Sequence, residues 1–253
     1  MNFYLIELIK KGRANMKSKI IAKDKYHLME LIEKEIELNG SKCDLNHIDI
    51  TNVDDLMDVF LDSLFNGDIS MWDTSKVKNM ERIFQGSHFN GDISKWNVSN
   101  VENMASMFMR SKFNGDISSW DVSNVKDMNY IFAASKFNGD ISKWNVSNVK
   151  DMSSMFSASK FNSDISQWNV SNVENMSGIF KSSLFQGDIS NWKPYKLNRM
   201  VDMFFETTMD IPYWATFKDH VQRNKAIDSY HLHKKLNEEL SRNNTVKPTK
   251  PKL

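Results

Sequence analysis

Six aspartates, Asp68, Asp92, Asp116, Asp140, Asp164 and Asp188, recur every 24 residues, and Trp72, Trp96, Trp120, Trp144, Trp168 and Trp192 follow them at the same period. A chain wound back on itself at that period would bring like residues together. Stacked carboxylates can hold a cation, and stacked indoles can bind sugars or bases. At a spacing of about 4.8 Å, adjacent carboxylates repel by roughly 0.9 kcal/mol in water, so something must offset them. Backbone N–H groups of a turn would do so by favouring the ionised form. Calcium would need about six to eight oxygens, which one Asp per unit with neighbouring Asn does not supply. The expectation is therefore turn-capping and no metal site. The indoles alternate with residues such as Ile93 and Val98, which points them inward as core, each ring burying roughly 150–250 Å². Met80, Met104, Met128, Met152, Met176 and Met200 read the same way.

Reaction chemistry is missing. The chain contains no G-x-S-x-G, G-x-x-x-x-G-K-[ST], H-E-x-x-H or C-x-x-C, the spacings that build a nucleophile elbow, a phosphate cradle, a zinc helix or a redox pair. The single cysteine, Cys43, has no evident base and excludes an intrachain disulfide. His231 and His233 lie two apart on a predicted helix and face different sides, a poor chelate. No enzyme activity and no cofactor are expected. The net charge is +1, and residues 41–212 carry 16 Lys and Arg against 22 Asp and Glu. That is opposite to a phosphate-binding surface, so no nucleic-acid partner is expected. No apolar run approaches the roughly 20 residues of a membrane span.

The elements that position these columns follow from the repeat. One unit reads F-N-G-D-I-S-K-W-N-V-S-N-V-E-N-M-A-S-M-F-M-R-S-K from Phe89 to Lys112, and Phe65, Phe89, Phe113, Phe137, Phe161 and Phe185 keep its period. Ile93, Trp96 and Val98 predict a short strand. Val101, Met104, Met107 and Phe108 predict one face of a short helix, with Ser99 and Glu102 as a capping box, as are Ser171 and Glu174. In the fifth copy Ser163 replaces the turn glycine, leaving Asn162 to carry any positive φ. The expected fold is α/β. It is a leucine-rich-repeat solenoid with a parallel β-sheet on one side and short helices on the other, about 33 Å long for seven rungs, and capped at both ends. Residues 1–16 read as an extension, Met16 being an alternative start. Residues 17–40 read as a β-α cap, with a strand over Lys19–Ala22 and a helix over Lys25–Leu38 between Asp24 and Gly40. About seven repeats fill 41–208. Residues 209–242 form a C-terminal cap, a degenerate eighth rung and then an amphipathic helix through Ile227, Tyr230, Leu236 and Leu240. Residues 243–253 read as a disordered basic tail.

The repeat F-N-G-D-I-S-x-W-N-V-S-N-V-x-x-M-x-x-M-F resembles the BspA-type leucine-rich repeat of bacterial surface proteins, including those of mycoplasmas. The resemblance covers about two-thirds of the chain and recurs in six copies. It implies a solenoid used for binding, often adhesion or contact with host proteins. The chain departs from that family in lacking a secretion signal or lipoprotein cysteine. A cytoplasmic location is expected, with the cell surface as the alternative the resemblance implies.

Positions flanking each Trp point outward. Lys95 with Asn97, Ser119 with Asp121, Lys143 with Asn145 and Gln167 with Asn169 are the candidate binding residues. The first of each pair changes freely while the core columns barely move. The expected partner is another protein, met on the concave sheet face. The variable positions Arg82, Arg110, Tyr130 and Lys181 mark the competing surface.

Overall fold

A computed structural model describes residues 18–245; the extension expected at 1–16 and most of the basic tail lie outside them. Strand β1 (Ile20–Ile21) pairs in parallel with β2 (Ile48–Asp49), placing Ile20 opposite Ile48. Between them helix α1 (Lys25–Asn39) begins at Asp24, whose carboxylate accepts the His27 N–H at 2.9 Å. Gly40 closes it at φ 81° by donating its N–H to the Ile36 carbonyl. Leu28 and Ile32 bury one face of α1 on the first rung, while Lys25 Nζ meets Asp55 Oδ2 at 2.7 Å.

From Ser41 onward the chain returns to the same position every 24 residues, and each unit is hydrogen-bonded to the next. Isolated parallel bridges join Asp55 to Asn79, Asn79 to Asn103, and so on to Arg199. Each junction carries bonds in both directions: Glu102 and Lys112 donate back to the carbonyls of Lys78 and Ser87 at 2.8 and 3.1 Å, and the turn segment donates forward. The N–H groups of Met80, Arg82, Phe84 and Gly86 donate to the carbonyls of Asn103, Ala105, Met107 and Met109 at 2.8–3.0 Å. Within the unit, Ile83 donates to Met80, Gln85 to Arg82 and Ser87 to Phe84, three linked turns.

This ribbon of turns occupies the segment where the short helix is expected. Over Val101–Phe108 the structure has no helix, and Ser99 caps none; its N–H instead bonds Asn97 Oδ1 at 3.1 Å. Eight residues make a marginal helix, because nucleation costs more than one or two turns return. The neighbouring unit offers each alternate N–H a carbonyl at good distance, and it wins. The strand expected at Trp96–Val98 is likewise absent, and among the described residues only β1 and β2 are strands. Units are joined there through side chains. The Trp96 indole N–H donates to the Ile69 carbonyl at 3.1 Å, and the same bond recurs from Trp72 through Trp214.

The core is a set of aromatic columns. Phe60, Phe84, Phe108, Phe132, Phe156, Phe180 and Phe204 stack at centroid distances of 5.6–6.2 Å. Phe65 to Phe185 form a second column at 6.1–6.3 Å. Trp72 lies 6.2 Å from Trp96 and Trp192 lies 6.5 Å from Trp214. The repeat indoles are buried, as are Met80, Met104, Met128, Met152 and Met176 of the methionine column, with Met200 half-buried. The turn glycine works through shape: a Cβ on Gly91 would come within 2.8 Å of the Phe89 ring. Asn162 carries no positive φ, because that turn does not use the left-handed region.

The described residues close with a 3-10 turn, Tyr213–Thr216, and helix α2, His220–Thr245. Ile227 and Arg223 are buried, and the Arg223 guanidinium donates to the Leu197 carbonyl. Tyr195 donates its hydroxyl to Asp228 Oδ1 at 2.8 Å, and Tyr230 stacks on Tyr213 at 4.3 Å. Leu236 and Leu240, expected on the packed stripe, are 46% and 60% exposed. The contacts of α2 with the last rung end near Lys234, and the helix runs past them.

The ribbon forces left-handed backbone on residues with no preference for it. Tyr130, Ala134, Ser154 and Ala158 stand at φ 52–54°, where Gly86 and Gly178 occupy equivalent positions at 63–64°. These are third positions of turns, where type II geometry needs positive φ. An L-residue there costs about 1–2 kcal/mol, partly offset by the lower unfolded-state entropy of a non-glycine. Ala134→Gly and Ala158→Gly, both exposed, should each stabilise the protein by about 0.5–1 kcal/mol, read as a rise in urea midpoint at unchanged slope. Ala133→Gly, at a buried neighbour without positive φ, should lower it.

Candidate functional site

All eight residues expected outward are exposed: Lys95, Asn97, Ser119, Asp121, Lys143, Asn145, Gln167 and Asn169. Buried Trp96, Trp120, Trp144 and Trp168 separate the two columns, with buried Val98, Val122, Val146 and Val170 beyond. They share one face, but no β-sheet carries them.

Half of them hold the fold. Asn97, Asp121, Asn145 and Asn169 accept the backbone N–H two residues on, from Ser99, Ser123, Ser147 and Ser171, at 3.0–3.2 Å. A side chain engaged as a turn acceptor has less freedom to meet a partner. Ser119 Oγ reaches the Ser94 carbonyl at 3.4 Å and Gln167 Nε2 meets Ser166 Oγ at 3.1 Å. No ion pair is formed by Lys95 or Lys143 among the described residues. Lys95, Ser119, Lys143 and Gln167 therefore form the adaptable column.

Sequence reasoning did not place α2 beside this face. Lys234 Nζ donates to Asn191 Oδ1 at 2.7 Å, and a groove of about 680 Å³ runs between Gln167, Asn191 and Lys193 on one side and His231, Leu232, Lys234 and Lys235 on the other. Burial lowers the His231 pKa from its ordinary value, aided by Lys193 and Lys234. His233 is turned away, its Nδ1 2.7 Å from the Ser229 carbonyl, so the two histidines do not converge. Another network escaped notice although its signal was in the repeat. Asn66, Asn90, Asn114, Asn138 and Asn162 each accept the N–H of the residue one rung on, at 2.7–2.9 Å.

The aspartate column is a set of turn acceptors. Asp68, Asp92, Asp116, Asp140, Asp164 and Asp188 take the N–H of the serine two residues on at 2.8–2.9 Å. Those backbone bonds hold Asp68, Asp92, Asp116, Asp140 and Asp188 below the ordinary carboxylate value. No group of three or more His, Cys, Asp or Glu among the described residues could hold a metal ion, and no helix among them is long and apolar enough to cross a membrane.

Asp127 behaves oppositely. Burial raises its pKa against the pull of the Asn129 N–H, and neighbouring Asp151 adds to the rise. Stability from the lowered aspartates is present above their unfolded pKa, near 3.9, and is lost as pH falls through the lower folded values. The melting temperature should therefore drop as pH falls below about 4. Ionised Asp127 costs stability above that range, so Asp127→Asn should raise the melting temperature at neutral pH and lose the advantage in acid. Asn occupies the same column at 79, 103 and 175, where Asn175 Nδ2 donates to Asp151 Oδ2 at 2.9 Å.

No curated protein and no solved structure matches the chain significantly. A family model matches it twice, over residues 29–136 and 110–214, which together span the first helix, the repeats and the start of the C-terminal cap. This chain belongs to the repeat family described as "Mycoplasma protein of unknown function, DUF285".

Proposed function

We propose that this protein is a non-catalytic leucine-rich-repeat solenoid of the BspA type, and that it acts by binding another protein through the face bearing the Trp-flanking columns. The observation carrying this reading is the contrast between columns on one exposed face. Asn97, Asp121, Asn145 and Asn169 repeat one structural job, whereas Lys95, Ser119, Lys143 and Gln167 range from cationic to neutral polar and share no recurring bond. A rigid scaffold with one freely varying exposed column suits recognition of a macromolecular surface, where a few anchors carry most of the energy. The absent reaction motifs and the lack of convergence between His231 and His233 support a binding role over a hydrolytic one.

The test is a charge reversal. A protein captured by the wild type should be lost with Lys95→Glu/Lys143→Glu and kept with Arg110→Glu, which alters the turn ribbon instead. Affinity purification with mass spectrometry, then titration of the purified pair, reads both. Equal affinity of wild type and double variant for that protein would move the site off this face.

A further inference from the structure

Over the turn segment from Met80 to Gly86 and its equivalents the inter-rung bonds all point one way, N–H toward the C-terminal end of the stack, whereas the residues flanking it, such as Glu102, Asn103 and Lys112, donate back to Lys78 and Ser87. The final rung therefore leaves a row of donors. Met176, Gly178, Phe180 and Ser182 give their N–H to Arg199, Val201, Met203 and Phe205. Their counterparts Met200, Asp202, Phe204 and Glu206 have no acceptor among the described residues.

The side chains along this edge change character as well. Val201 is 71% exposed and Phe205 50% exposed, in columns that carry Ser153 and Ser177, and Ser157 and Lys181, in the two rungs before. Ile211, 59% exposed, lines the same groove as Val201. Between Met200, Met203 and Phe204 on one wall and Ile211, Ala215 and Thr216 on the other runs a groove of about 680 Å³ with a mainly apolar lining. An unpaired main-chain edge beside apolar side chains is a template for another chain segment, and a row of donors calls for one folded in linked turns, because a strand would set N–H groups between its carbonyls.

A second copy continuing the stack meets obstacles. Its matching carbonyls, at Asp55, Met57, Val59 and Leu61, lie beside its own α1, anchored by Lys25 on Asp55. Helix α2 is likewise anchored on the last rung, by Arg223 at Leu197. Two helices, each about 10 Å across, do not fit in one rung spacing of about 4.8 Å. In register, Asp58 and Asp62 would also fall on Asp202 and Glu206. A symmetric tail-to-tail pair would set donors against donors.

We propose that this edge docks a segment of a partner protein, distinct from the outward face, which folds onto the ribbon as one further rung of linked turns. The segment supplies a row of main-chain carbonyls, apolar side chains for the groove, and a basic residue opposite Asp202. The basic requirement has a precedent inside the chain: in the same column Arg82 makes two bonds, at 2.8 and 2.9 Å, to Asp58 of the rung before it. Among the described residues Asp202 pairs with Lys181, at 3.2 Å, whose ammonium also lies over the Phe205 ring.

The probe is a terminally blocked, fluorescently labelled peptide with the sequence of residues 79–86, Asn-Met-Glu-Arg-Ile-Phe-Gln-Gly, titrated against the full chain by polarisation. Amide hydrogen exchange is followed in parallel. Binding should slow exchange at Met200, Asp202, Phe204 and Glu206, and a scrambled peptide should not. Phe205→Asp should weaken binding at least tenfold with an unchanged melting curve. Asp202→Arg should weaken it similarly and regain affinity for the peptide with Asp in place of its Arg. Absence of protection at millimolar peptide, equal binding of the scrambled sequence, or no rescue by the charge swap would overturn the proposal. So would concentration-dependent protection of the same amides without peptide, accompanied by dimers in sedimentation, because the occupant would then be a second copy.

Discussion

The directional main-chain ladder between residues 24 apart is the constraint on which the rest of the structure depends. Its bonds fix each unit on the next, and that register brings Phe onto Phe and Trp onto Trp. Aromatic columns with centroids near 6 Å gain contact along their whole length. The indole N–H could be a buried liability, and the Ile carbonyl one rung back satisfies it. Side-chain packing and main-chain bonding thus enforce the same period.

This economy has consequences at the ends and at the surface. A stack in which each rung satisfies its neighbour leaves the first and last rungs incomplete. The first is covered by β1 and α1, and the core of the last by the 3-10 turn and α2, whose buried Arg223 caps the Leu197 carbonyl. The ribbon edge at residues 200–206 receives no such cover. Along the flank, the Asx acceptors that fix each turn also fix which outward residues are free to change. Asn97 and its equivalents are held by one recurring turn bond, while Lys95 and its equivalents share none.

Much was legible before any coordinates. The period, the inward Trp, Phe and Met columns, the Asp24 cap and Gly40 stop of α1, and the exposure of the eight flanking residues all follow from residue type and spacing. The Asp column as turn acceptors followed from an energetic comparison of carboxylate repulsion with backbone bonding. The course of residues 101–108 did not follow, because a turn ribbon and a short helix both place apolar residues three and four apart. The half-exposed stripe of α2 was misread for a related reason: periodicity reports which residues share a face, and not how far the surface beneath it extends.

The sequence by itself determined that the chain is a 24-residue repeat with an aromatic interior, since identical units can bury their apolar columns only on one another. Only the tertiary structure decided how the backbone between those columns runs. Its hydrogen-bond partners lie a full unit away, and an N–H at Met80 cannot signal locally that a carbonyl waits at Asn103. That distant bonding sets Tyr130 and Ala134 in a left-handed conformation that neither side chain favours. It also aligns the alternate donors of the turn segment, such as Met80, Arg82, Phe84 and Gly86, toward one end of the molecule.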